Sequence, residues 1–267
     1  MKTNKKKKQH YVPQCYLESW RIPNTNQIFT FDKKKVEVRK NSISDVASEN
    51  YFYDIDFSGV LTVEDLEKYG LKGYDPSKLD ESQYIENFFS EQIEGNYKAL
   101  LNKIIDRTQK MNLWERNNCF FISEKDKLKL SIHLAFQYIR VKSTRNSIFD
   151  SSDCLKQVLN DMGVPSETIK KYCITKAELP YIHGKMILDS EVMGEMAQCF
   201  NRLSWILLFN KTNQSFYTSD NPIWSVPHVK HPFLSTSGIR SKGVEIDFPI
   251  SPKLMLVMVD GDYHTKM

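Results

Sequence analysis

The chain has 267 residues, 40% hydrophobic and 26% charged, a mixture that supports a buried core and excludes a fibrous or disordered polymer. Its formal charge of +4 owes five positive charges to Lys2 and Lys5 to Lys8, which leaves −1 on the remainder and excludes a broadly basic, duplex-wrapping body. No run of about eighteen apolar residues is present to span a membrane, no apolar segment follows the N-terminal charges as an export signal would, and Cys15, Cys119, Cys154, Cys173 and Cys199 lack zinc spacing. These features read as a cytoplasmic protein.

In chain order, residues 1–8 are expected to be a disordered basic tail and residues 9–267 one α+β domain. QHYVPQCYLESW, residues 9–20, predicts an extended entry, a proline and two helical turns. The alternation in IFTF and VEVRK around DKKK predicts a β-hairpin, and SISDVASENYFY a capped turn running into an aromatic strand or loop. Residues 54–80 lack a long periodic segment and suggest a peripheral loop with a short helix at 62–69. Apolar residues from Ile85 to Ile104 recur at helical spacing, predicting one long helix from Glu81 to about Arg107.

A second helix is expected from Glu124 to Arg145 with Ser123 as its cap, a third over residues 153–163, and another long one over residues 186–203. Beyond Arg202, SWILLFN and SFYTSDNPIW predict a hairpin, and residues 243–250 and 252–260 two further strands. The order β, α, α, α, β implies an α+β fold: a helical centre with a small, mostly antiparallel sheet built from the N- and C-terminal segments.

No phosphate-binding glycine loop, HExxH, GxSxG or EF-hand motif occurs, so chemistry must be sought among polar residues in apolar company. Projected at about 100° per residue, His133, Gln137, Arg140 and Thr144 share an arc of about 60° flanked by apolar residues. Such a seam is either a structural hydrogen-bond network or an anion-binding wall, with Arg140 forking onto a phosphate, Gln137 beside it and His133 moving a proton. Glu86 and Glu94 lie on the apolar face of the first long helix, where they either pair with a buried cation or offer oxygen ligands to a divalent metal ion. His10 and Gln14 flank Val12 and Pro13, a candidate base with a candidate substrate contact. Asp220 and Asn221, in TSDNP, sit at a turn after a predicted strand, where either an Asx turn or a displayed catalytic or metal-binding carboxylate accounts for them; Asp247 is a second strand-borne carboxylate.

The segments QHYVPQCYL, SENYFY, IEGNYKALLNKI, FQYIR, YTSDNP and FPISP carry a resemblance over nearly the full chain. It resembles a bacterial and fungal family of unknown function, the HYVPQ family, marked by an N-terminal HYVPQ-x-YL signature and a later SDNP. Cys15 stands where that family usually has an aromatic residue, and Val141 to Arg145 departs from its commoner RTP-like continuation. The resemblance supports these positions without naming a reaction.

The resulting expectation is a metal-assisted phosphodiesterase or nuclease acting on nucleic acid or a nucleotide, in the setting of a bacterial toxin or antiviral defence. Glu86, Glu94 and Asp220 would hold Mg²⁺ or Mn²⁺, His10 or His133 would transfer a proton, and Gln14, Gln137, Arg140 and Asn221 would contact substrate. The alternative is a sensor or interaction module that binds an anionic ligand or a protein partner without breaking a bond.

Overall fold

A computed structural model of the chain describes residues 5–55, 83–111, 121–232 and 236–264. The helix expected at residues 62–69 lies outside them. The architecture is α+β, with small antiparallel sheets supplied by both ends of the chain and helices between.

The N-terminal segment forms β1 (Lys8–His10), α1 (Gln14–Leu17) and a 3-10 turn at Glu18–Trp20. Strands β2 (Gln27–Asp32) and β3 (Glu37–Ser42) form the predicted hairpin, and a 3-10 turn at Ile43–Asp45 leads to β4 (Ser48–Asn50), which pairs with β1. Lys6 to Lys8, expected within a disordered tail, are tied to the fold. The Lys6 amide donates to Gln83 Oε1 at 2.6 Å, the Lys7 carbonyl accepts from Tyr51 N at 2.8 Å, and Lys8 lies opposite Asn50 in the ladder. Backbone hydrogen bonding overrides the charge repulsion that a lysine run suggests.

Where one long helix is expected, the chain forms α2 (Tyr84–Phe88), a π-helical turn (Phe89–Ile93) and α3 (Glu94–Lys110). Helix α4 (Glu124–Arg140) starts as predicted, with Ser123 Oγ accepting from Asp126 N at 3.2 Å. It does not run on to Arg145. Val141 turns to ψ 152° and α5 (Lys142–Asp161) begins, absorbing the separate helix expected at residues 153–163.

Side chains capture the last carbonyls of α4 and end it there. Tyr53 Oη donates to the Arg140 carbonyl at 3.2 Å, His183 Nε2 to that of Ile139 at 2.7 Å, and Thr144 Oγ1 to that of Tyr138 at 2.6 Å. Arg145 Nε donates to His183 Nδ1 at 3.0 Å, which fixes the tautomer with the proton on Nε2. Burial, then the Arg145 charge, pushes His183 down to about 3, so the ring stays neutral.

After α6 (Ser166–Tyr172), the long helix expected at 186–203 is divided between α7 (Leu179–Leu188) and α8 (Ser190–Arg202). Asp189 splits them by capping α8, its Oδ1 accepting from the amides of Glu191 at 3.0 Å and Val192 at 3.2 Å. On α7, Gly184 packs so closely that an added Cβ would lie 2.2 Å from Ile55 Cδ1 and 3.1 Å from Ile85 Cδ1. Gly184→Ala is accordingly expected to destabilise by about 1–3 kcal/mol through overpacking, measured as a shift in urea midpoint at constant slope. An unchanged midpoint would show that the two isoleucines repack without cost.

The C-terminal sheet has the order β5 (Ser204–Phe209), β8 (Leu254–Val259), β7 (Val244–Ser251), β6 (Trp224–Pro227), all antiparallel; a short helix, α9 (Gly261–His264), follows it. The hairpin expected between SWILLFN and SFYTSDNPIW is not formed. The central strand β8, LMLVMV, pairs with β5 on one side and β7 on the other, while residues 210–223 run outside the ladder. Tyr16 ties the two ends of the chain together: its hydroxyl donates to the Pro249 carbonyl at 2.7 Å, lies 2.7 Å from Thr218 Oγ1, and its ring stacks on Phe248. One core cluster runs from Tyr11 through the helices to Met258. Among the described residues, no helix is long and apolar enough to cross a membrane.

Candidate functional site

Between β1, the Ile43–Asp45 turn and the α2–α3 helical pair lies a cleft of about 330 Å³, lined by Lys6, Lys8, His10, Gln14, Ser44, Glu86, Ser90 and Glu94. Its helical wall depends on the π turn. In an unbroken α-helix Glu86 and Glu94 would sit about 80° apart; the wider π turn advances fewer degrees per residue and closes that gap, so that both carboxylates and Ser90 face the same space. Lys6 and Lys8 reach it because the N-terminal segment is docked. Lys6 Nζ donates to Ser90 Oγ at 3.0 Å, and Lys8 pairs with Asp45.

Behind the cleft, Arg140 is only 1% exposed. Its guanidinium donates to the His10 carbonyl at 2.6 Å, to Glu94 Oε1 at 3.1 Å and to Tyr53 Oη at 3.3 Å, and lies 4.0 Å above the centre of the Phe89 ring. Burial opposes its charge, but Tyr53 and Glu94 outweigh that and hold it firmly protonated. Arg140 thus faces protein partners and does not line the cleft, where it was expected to fork onto a phosphate. It acts on the site indirectly, by fixing the Glu94 carboxylate and the backbone of His10.

His10 is buried at the edge of the cleft. Gln14 Nε2 lies 3.5 Å from its Nδ1, and its Nε2 has no hydrogen-bond partner. Burial lowers its pKa below 6.5, and Arg140 adds to the lowering, against opposition from Glu94 and the backbone of Ser44 and Ile43. Glu86 is displaced in the other sense. Burial raises its carboxyl from the usual 4.5 to about 7, although Arg140 and Lys6 favour the charged form.

Of the residues singled out in the sequence, His10, Gln14, Glu86 and Glu94 come together here, with Arg140 at their back. The others do not. His133 stacks on Tyr97 with ring centres 5.0 Å apart, and burial pushes its pKa down to about 4; the α4 seam turns it into the core, away from the carboxylates. Gln137 is buried, donating to the Tyr11 carbonyl at 3.5 Å. Asp220 is exposed and not part of the cleft wall; burial raises the Tyr11 phenol and the Asp220 charge adds to that. Asn221 belongs to a serine turn, its amide donating to Ser219 Oγ at 3.1 Å. Asp247 lies opposite Trp224 and Val257 in the C-terminal sheet. Sequence reasoning missed Lys6, Lys8, Ser44 and Ser90. Ser90 alone left a signal, since it stands four residues from both Glu86 and Glu94.

The donor set fits a divalent ion poorly. Two carboxylates line the cleft, Arg140 already holds one of them, and among the described residues no group of three His, Cys, Asp or Glu side chains is arranged to hold a metal.

A family model described as "Protein of unknown function (DUF4238)" matches residues 8–267. The chain belongs to that family. The match begins at Lys8, the first residue of β1, so the DUF4238 region contains the whole helical wall of the cleft together with His10, Gln14 and Arg140. No curated protein matches the chain, and no solved structure does.

Proposed function

We propose that the cleft binds and hydrolyses a phosphate ester, a nucleotide or the end of a nucleic-acid strand, with Glu86 as general acid and His10 as general base. One observation carries this reading: a carboxyl that burial keeps protonated up to about pH 7 lines a small cleft together with a histidine whose pKa burial lowers and two lysines. In the proposed step, water attacks phosphorus while His10 takes its proton on Nδ1, the ring nitrogen that lies 3.5 Å from the Gln14 amide and carries the lone pair. The bond from phosphorus to the leaving oxygen breaks as Glu86 protonates that oxygen, and Lys6 and Lys8 balance the charge on the phosphoryl oxygens. Gln14 orients the imidazole, and Arg140 and Glu94 hold the strand that bears it.

The free thiols of Cys15, Cys154, Cys173 and Cys199 are in keeping with a reducing, cytoplasmic setting. A role in defence or as a toxin would follow from hydrolysing a nucleotide pool or a strand end.

The test is a pH–rate profile on a chromogenic phosphodiester and a panel of nucleotides, run with chelator and again with Mg²⁺ or Mn²⁺. The expected profile is a bell. Activity rises as His10 loses its proton at its lowered pKa and falls as Glu86 ionises near pH 7. Turnover that appears only with a divalent ion would replace this acid–base reading with the metal-assisted one. Ligands that raise the melting temperature without being turned over at any pH would make the protein a sensor.

A further inference from the structure

The β2–β3 hairpin has its polarity inverted. Ile28, on one face, is buried in the core, whereas Phe29, Phe31, Val36 and Val38 are 61%, 59%, 76% and 63% exposed. The register places Phe31 directly opposite Val38 and Phe29 opposite Lys40, so two phenyl rings, a valine and a lysine share the outward face. A solvated sheet face is ordinarily polar. A contiguous apolar strip of this kind marks a contact surface.

Its charge is one-sided. Lys33, Lys34, Lys35, Arg39 and Lys40 are all exposed, and Lys40 Nζ sits 5.5 Å from the centre of the Phe29 ring. The two acids of the segment are engaged internally. Asp32 accepts from the amides of Lys34 at 3.0 Å and Lys35 at 3.2 Å, and Glu37 pairs with Arg39 at 2.6 Å. The surface is therefore complementary to a polyanion that also offers flat apolar faces. Phe29 and Phe31, two residues apart on one strand, stand about 7 Å from each other, a spacing that accepts successive unstacked bases. Insertion into a bilayer fits less well, because the three lysines of the turn would have to enter the hydrocarbon first.

We infer that this hairpin is a binding platform for single-stranded nucleic acid, with bases stacked on Phe29 and Phe31 and the phosphate backbone running along Lys33 to Lys35 and Lys40. Strand β3 ends at Ser42, and Ser44 two residues later lines the cleft, so the platform delivers a strand toward Glu86 and His10. That delivery rests on the hydrolytic reading above, whereas the binding itself does not.

The experiment measures anisotropy of labelled single-stranded DNA and RNA oligonucleotides with the full chain, the Phe29→Ala/Phe31→Ala variant, the Lys33→Gln/Lys34→Gln/Lys35→Gln variant and Glu86→Gln. The phenylalanine pair is expected to weaken binding by about 25-fold or more, on the order of fivefold or more per ring. The lysine triple should reduce the slope of log affinity against log salt by about 2. Both should melt like the wild type, because these side chains are exposed. Glu86→Gln should bind as the wild type does, and the hairpin variants should still hydrolyse the small chromogenic ester, which separates failure of the platform from failure of the cleft reading. Oligonucleotide binding that is undiminished in both hairpin variants would overturn the inference. So would a wild-type protein that ignores oligonucleotides and sediments with phosphatidylserine vesicles, which would make the hairpin a membrane-surface element.

Discussion

Arg140→Ala is expected to reduce the free energy of unfolding by about 3–5 kcal/mol, the range found when one partner of a buried ion pair is removed. The substitution deletes the donors to the His10 carbonyl, Glu94 and Tyr53 and the cation over Phe89. It also leaves Glu94 facing a void. An exposed pair would contribute about 1 kcal/mol or less; the burial of Arg140 puts this one in the other class, while the partial exposure of Glu94 favours the lower half of the range. Urea denaturation gives the number directly. Arg140→Lys should fall between, since one ammonium cannot span three acceptors set around a planar guanidinium. A loss below about 1 kcal/mol for Arg140→Ala would mean that the network contributes little and that the π turn and β1 are held by packing alone.

Much of the helical centre was legible because its signals are local. Apolar spacing marked Ile85 to Ile104, and Ser123 announced the start of α4. The errors fall where a distant side chain decides a local outcome. Nothing near Val141 shows that Tyr53 and His183 will claim the carbonyls that would have continued α4 to Arg145. The register of β5 was equally hidden, since a hairpin with residues 215–224 satisfies the same alternation as the pairing with β8 that the fold adopts.

At the site, charge was the misleading cue. Five lysines suggested a solvated tail, yet the Lys6 amide and carbonyl are met by the side-chain amide of Gln83, whose own backbone takes the left-handed region at φ 49°. The seam on α4 was correctly seen as buried and polar, but helical projection gives direction around an axis and not what lies opposite. Arg140 found Glu94, whereas His133 found an aromatic ring. The π turn that aligns Glu86 with Glu94 has no local sequence signature here.

Glu86→Gln provides the sharpest separation of chemistry from structure. As the proposed proton donor, Glu86 should cost about 10²–10⁴-fold in turnover when its acidity is removed, with oligonucleotide or nucleotide binding retained. Stability should move the other way. The folded-state pKa of about 7 lies above the ordinary 4.5, so the folded protein keeps a proton that the unfolded chain releases between those values. The contribution of Glu86 is therefore fully favourable below pH 4.5 and is lost as pH rises through about 7. Glutamine keeps the shape and cannot ionise. The variant should match the wild type near pH 4.5 and exceed it at pH 8, by up to about 3 kcal/mol before allowance for the residual solvent contact of the carboxylate. Denaturation curves at the two pH values measure that difference, and single-turnover assays measure the rate. A variant that loses activity while gaining stability at alkaline pH identifies a carboxyl held in an environment unfavourable to its ionised form. A variant that is less stable at both pH values would instead make Glu86 a structural partner of Lys6 and Arg140, and the acid in the mechanism would have to be sought elsewhere in the cleft.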